Sequence, residues 1–151
     1  MRYAAIAILT LLFFSCEKGL TYEQQLQADI DDIKEYLADK NLTAQSTPSG
    51  LHYIITQEGT GAHPTINSTV TVKYIGKLLK NEKVFDQTTG APITFPLTGV
   101  IEGWQEGVPL LKKGGKGTFF IPSALGYGAT GAGNEIPANA PLIFEIELVD
   151  F

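Results

Sequence analysis

The chain has 151 residues, 44% of them hydrophobic, which is enough for one domain of ordinary size with a real core plus a leader. A net charge of −5 argues against nucleic acid as a main partner, since phosphate recognition wants a basic surface. Two histidines and one cysteine supply too few soft ligands for a transition-metal site, and a lone cysteine excludes an intrachain disulfide.

Residues 3–14 form an apolar run of 12, preceded by Arg2 and followed by Ser15-Cys16. The run is shorter than the ~20 residues that a spanning helix needs, but it suits the core of a signal peptide. An apolar run that ends in a small residue and then cysteine resembles the lipobox of bacterial lipoproteins. That resemblance implies a signal peptide over residues 1–15, a lipid on Cys16 and a protein anchored in the bacterial cell envelope, facing the periplasm or the cell surface. The alternative is an ordinary secretory signal with an incidental cysteine.

Residues 16–49 read as a tether. Within it, residues 20–41 place Tyr22, Leu26, Ile30, Ile33 and Leu37 at spacings of three and four, one apolar stripe of an amphipathic helix. Thr21 followed by Glu23 suits its start, and Lys40-Asn41 its end. The stripe either docks on the domain that follows or pairs with a second copy in a dimer. The acidic residues of this helix are expected to form a solvated face. Residues 43–50 then read as a polar linker with turn residues.

From residue 50 to 151 the signals are mostly β. Strands are expected over residues 51–55, 70–79, from Val84-Phe85, over 93–97, 116–121 and 142–149. Pro96 puts the fourth near an edge or bulge. Residues 102–111 allow one short helix, stopped by Lys112-Lys113-Gly114-Gly115, and residues 122–141 form a long loop of small residues. One short helix against a sheet of five or six strands is an α+β arrangement.

The usual catalytic constellations are weak. Gly126-Tyr127-Gly128-Ala129-Thr130-Gly131 imitates a nucleotide fingerprint but lacks the strand-turn-helix setting. Neither His52 nor His63 has an obvious partner for base catalysis, and both read as structural. Asp86 is the one carboxylate embedded among aromatic residues. Trp104, the only tryptophan, lies between Gly103 and Gln105-Glu106-Gly107. Such a ring either fills the core or floors a pocket, and the aromatics Tyr74, Phe85, Phe95, Tyr127 and Phe144 on either side of it favour the pocket.

The blocks VKYIGKL, KVFDQT, PITFPL, VIEGWQEGV, KGGKGTFFIP, LGYGATG and IPANAPLIFEIELVDF occur in that order. Together they resemble the FKBP-type peptidyl-prolyl cis/trans isomerases over about residues 50–151. The resemblance implies a twisted antiparallel sheet wrapped around one short helix, with a prolyl pocket between them. Tyr74, Phe85, Asp86, Trp104, Tyr127 and Phe144 would carry the reaction, and Phe95, Val100, Ile101 and Ile136 would line the substrate site. Trp104 would lie beneath the proline ring, Tyr127 would donate to a substrate carbonyl, and Asp86, with Tyr74, would orient the pocket. In the PITFPL block Ile93 stands where the family has a first aromatic. Glu135 stands where a second apolar residue is common, which bears on macrolide inhibitors and substrate preference.

Rotation about an X-Pro bond breaks amide resonance over a barrier of ~18–20 kcal/mol but breaks no bond. No nucleophile, metal or cofactor is required, only a site that binds the twisted amide better than the planar forms. The implied partners are proline-containing polypeptides and macrolide FKBP inhibitors. The competing reading is a non-catalytic binding module or chaperone that holds chains in the same cleft.

Overall fold

The computed structural model describes residues 19–151, so the signal peptide and Cys16 lie outside the described residues. The first element, helix α1, spans Tyr22–Asp39. Thr21 caps it: its Oγ1 accepts from the Gln24 N–H at 3.3 Å, and Gln24 Oε1 accepts from the Thr21 N–H at 2.9 Å. At the other end Asn41 adopts the left-handed conformation (φ 54°). This returns the N–H groups of Asn41 and Leu42 to the carbonyls of Ala38 and Leu37, 3.0 and 2.8 Å away. Ile33 and Leu37 of the stripe are buried, whereas Tyr22 is 62% exposed.

Among the described residues seven strands form one antiparallel sheet: β1 (Gln45–Ser46), β2 (His52–Gln57), β3 (Thr69–Leu78), β4 (Val84–Gln87), β5 (Ile93–Pro96), β6 (Lys116–Ile121) and β7 (Leu142–Asp150). Six fall where the sequence places them. The seventh, β1, lies in the stretch read as linker, so the expected count of five or six is one short. A two-residue polar strand carries no apolar alternation. It forms because the turn at Thr47–Gly50 folds the chain back on β2, pairing Gln45 with Tyr53 and Ser46 with His52.

The strand order is β1-β2-β6-β7-β3-β4, with β5 also paired to β3. Long β3 lies along β7 on one side. On its other side β5 pairs opposite Thr69–Val72 and β4 opposite Ile75–Lys77. Pro96 sits on this outer, β5 edge, as its missing N–H requires.

The inner face of the sheet is covered by the main core and the outer face in part by α1. Along β7, Leu142, Phe144, Ile146 and Leu148 point to the main core, and Ile143 points to the other side. Phe120 and Ile143 would face water but for α1, whose Ile33 and Leu37 pack on them together with Leu79. Tyr36 of α1 tilts against Phe120 with ring centroids 5.8 Å apart. Docking on the domain is therefore what buries the C-terminal part of the helix's apolar stripe, Ile33 and Leu37.

The main core is closed by α2 (Glu102–Gly107) and a 3-10 turn over Val108–Leu110. Helix α2 is shorter than the expected span because Pro109 has no N–H with which to continue it. It lies flat on β6: a Cβ at Gly103 would come within 2.5 Å of Ile121 Cγ2, and one at Gly107 within 2.8 Å of Phe119.

Replacing Ile33, which is fully buried under the sheet, should cost about 2–5 kcal/mol as Ile33→Ala. Tyr22→Ala at the exposed end of the same stripe should stay within about 0.5 kcal/mol of the parent. Urea unfolding of the two variants against the parent reads the difference.

Candidate functional site

Between α2 and the inner face of the sheet, Trp104 is 4% exposed and meets three rings edge-on. Its ring centroid lies 5.1 Å from that of Tyr74, 5.3 Å from Phe144 and 6.0 Å from Phe95, with interplanar angles of 83°, 89° and 90°. Edge-to-face packing sets the positive rim of one ring against the negative face of another, worth about 0.5–1.5 kcal/mol per pair beyond burial. Each ring comes from a different element: Tyr74 from β3, Phe95 from β5, Trp104 from α2 and Phe144 from β7. Trp104 Nε1 is buried with no hydrogen-bond partner among the described residues. An unpaired buried donor costs about 1–3 kcal/mol, a cost more often met at functional sites than in cores built for stability.

Phe85 and Asp86 join this group through an irregularity in β4. Gly76 pairs with Asp86 but Lys77 with Val84, so Phe85 is an extra residue on its strand. Such a bulge lets neighbours that would alternate turn to one side. Phe85 packs edge-on against Phe144 at 5.5 Å, and Asp86 Oδ2 accepts from the Tyr74 hydroxyl at 2.5 Å. Asp86 Oδ1 accepts from the Gln87 N–H at 2.8 Å. Gly76 leaves room for the pair of phenylalanines, since a Cβ there would lie 2.7 Å from Phe85 and 2.8 Å from Phe144.

Tyr127 follows a 3-10 turn over Ser123–Leu125 and is 37% exposed. Burial raises the pKa of its hydroxyl, and the negative charge of Asp86 raises it further. The Tyr74 hydroxyl is raised well above its ordinary value by burial, then by its hydrogen bond to Asp86. Both therefore stay protonated, and able to donate, throughout the neutral range.

Val100 and Ile101 lead into α2, Ile101 as its N-cap, and both are half-buried against the core. Ile136 is buried and held by a reciprocal backbone pair with Ala132. Beside it Glu135 meets Lys83 Nζ at 2.6 Å, so the loop is tied to the β3–β4 turn by an exposed ion pair. His52 bonds the Gly50 carbonyl and His63 the Pro109 carbonyl, each at 2.9 Å, as structural residues do. The glycine run 126–131 forms no helix that could hold a phosphate. It is occupied by a 3-10 turn over Gly128–Thr130.

One expectation fails on the N-terminal helix, where the acidic residues do not all form a solvated face. Asp29 is 1% exposed and accepts from the backbone N–H and hydroxyl of Ser123, itself 1% exposed. A signal was available: Asp29 lies four residues before Ile33 and eight before Leu37, in phase with the buried positions.

The family model described as FKBP-type peptidyl-prolyl cis-trans isomerase matches residues 61–149. The chain is 49% identical over 120 residues to the FKBP-type peptidyl-prolyl cis-trans isomerase FkpA of Aeromonas hydrophila, covering 77% of this chain and 44% of that one. Among solved structures, a peptidyl-prolyl cis-trans isomerase from Pseudomonas syringae pv. tomato aligns with a TM-score of 0.71 at 34% identity, over 88% of this chain and 97% of that one. FkpA from Escherichia coli aligns with a TM-score of 0.72 at 38% identity, over 85% and 61%. The chain spans about half the length of the curated relatives it matches.

The two raised tyrosines fix the sign of a pH effect. The folded state holds their protons more firmly than the unfolded chain, whose tyrosines titrate near pH 10. Their contribution to stability is complete below about pH 10 and is lost as pH rises through the folded-state values. Urea midpoints followed from neutral to alkaline pH should fall above that point, and the fall should shrink when Tyr74→Phe and Tyr127→Phe are combined.

Proposed function

The chain belongs to the FKBP-type peptidyl-prolyl cis-trans isomerase family, and on that premise we propose that it accelerates cis/trans rotation of X-Pro bonds in exported polypeptides. The observation that carries the reading is the Trp104 floor walled edge-on by Tyr74, Phe95 and Phe144, with a hydrogen-bonded Asp86 at its margin.

A planar imide is a strong dipole that water stabilises. A twisted one has lost resonance and much of that charge separation. Seating the pyrrolidine ring on Trp104 removes water from the imide, which costs the planar forms more than the twisted one. In this scheme Phe95, Val100, Ile101 and Ile136 exclude water around the ring. Phe85 and Phe144 wall the side on which the carbonyl rotates. Tyr127, protonated and partly exposed, donates to a substrate carbonyl. Asp86 keeps the Tyr74 hydroxyl in place and biases the rotating carbonyl. A macrolide FKBP inhibitor would compete for the same cleft.

The proposal includes a location. The apolar run at 3–14 followed by Ser15-Cys16 supports cleavage before Cys16 and a lipid on that residue, which would hold the domain at the cell envelope among newly exported chains. Among the described residues no helix is long and apolar enough to cross a membrane.

Isomerisation of a short X-Pro peptide by the full chain should be fast and inhibited by a macrolide. Burying an apolar ring is worth about 1.5–3 kcal/mol, so Trp104→Ala should lower kcat/KM roughly ten- to hundredfold, with folding checked by circular dichroism. No acceleration by folded parent protein would leave a peptide-holding module instead. In cells fed a labelled fatty acid, the parent should carry label and sediment with membranes. Cys16→Ser should do neither.

A further inference from the structure

The N-terminal helix lies outside the segment that the family model matches, residues 61–149. It nevertheless reaches the loop that carries Tyr127. We infer that Asp29 is a positioning residue for the isomerase reaction, acting through Ser123 on Tyr127, so that α1 is a working part of the cleft. This role rests on the isomerase activity proposed for the same cleft.

Every polar contact of the Asp29 side chain is accounted for. Its Oδ1 accepts from Gln25 Nε2 at 2.7 Å on the same helix. Its Oδ2 accepts from the Ser123 N–H at 2.7 Å and from the Ser123 hydroxyl at 2.5 Å. Charge-assisted bonds of this kind are about twice as strong as neutral ones, and here both ends are buried.

The far end of the contact is a 3-10 turn in which Leu125 packs into the main core and its N–H bonds the Pro122 carbonyl at 3.0 Å, while the first donor, on Ser123, is met by Asp29. Ser123 opens a 3-10 turn, and the residue before it, Pro122, offers neither an N–H nor a side-chain cap. The first N–H of the turn would be an orphan in the interior without Asp29. The carbonyl of Ser123 accepts from the Gly126 N–H at 2.9 Å, and the next residue is Tyr127. Tyr127 thus lies two residues beyond a turn whose first donor is fixed from α1. On either side of it Gly126 and Gly128 offer the loop no stiffness from side chains. The downstream half is held by the Ala132–Ile136 backbone pair, by the Asn139 N–H on the Gly128 carbonyl at 2.8 Å and by the Gly131 N–H on the Tyr127 carbonyl at 3.1 Å, so the upstream tether of Tyr127 is the turn at Ser123.

A merely structural aspartate would lower stability without favouring any one group in the cleft. The test is a cycle of Asp29→Ala and Tyr127→Phe in the full chain, with kcat/KM measured on an X-Pro peptide and hydrogen exchange measured in parallel. Asp29→Ala should lower kcat/KM roughly two- to tenfold, the worth of one hydrogen bond, in the parent. It should lower it less than about twofold in the Tyr127→Phe background, because the group it positions is already gone. Asp29→Asn keeps an acceptor oxygen and should recover part of the loss. Faster exchange should be confined to residues 123–131. Equal losses in both backgrounds, or faster exchange spread across the sheet, would overturn the inference. Should Asp29→Ala not fold, Ser123→Ala, which removes one of the two bonds, takes its place in the cycle, and the same two patterns support or overturn the role. If the folded parent is inactive, the isomerase reading falls. Hydrogen exchange alone then decides whether Asp29 holds the Tyr127 loop.

Discussion

The ring cluster around Trp104 depends on how closely a six-residue helix lies on the sheet. At Gly103 and Gly107 a single added carbon would strike Ile121 or Phe119, so α2 can sit where it does only because those two positions carry no side chain. Trp104 lies between them and is thereby pressed against rings from three strands. A helix this short has almost no stability of its own. It is held by the tertiary packing of its glycine face and of Trp104, and in return it closes the core.

The sheet carries apolar side chains on two sides, and this accounts for α1. On β6 and β7, Phe119 and Phe144 go to the main core while Phe120 and Ile143 go to the opposite face. A sheet covered on one side alone would leave the second pair in water. Ile33 and Leu37 of α1 cover them, and the same helix delivers a carboxylate to Ser123. What the sequence presents as a tether is thus a second layer, coupled to one of the loops around the cleft.

Polar groups around the aromatic floor are few and specific. Tyr74 and Asp86 satisfy one another, and Gln87 takes the remaining carboxylate oxygen. The ion pairs are peripheral: Lys77–Glu145, Lys40–Glu82, Lys83–Glu135 and Lys113–Asp150 all lie with at least one partner well exposed, where such pairs contribute little. The aromatic group itself is held by edge-to-face ring packing and burial, with few polar contacts.

Six strands, both helices and the grouping of aromatic residues were legible along the chain, because each rests on a local signal. Strands declare themselves by alternation, α1 by a stripe at helical spacing, and the family by seven blocks in order. Strand β1 was not legible, since two polar residues have no period, and pairing was decided by a turn that brings them beside β2. The bulge that turns both Phe85 and Asp86 to the ring cluster was equally hidden, because register is a relation between strands. Asp29 looked like one acid among several on a soluble face. Its phase with Ile33 and Leu37 can be counted along the chain, but its partner lies 94 residues away. Which residues are apolar, aromatic or turn-forming is written in the chain, and with it the elements and the chemistry they offer. Which of those groups meet was settled by folding, because the contacts are set by strand register and by the close approach of backbones far apart in the chain.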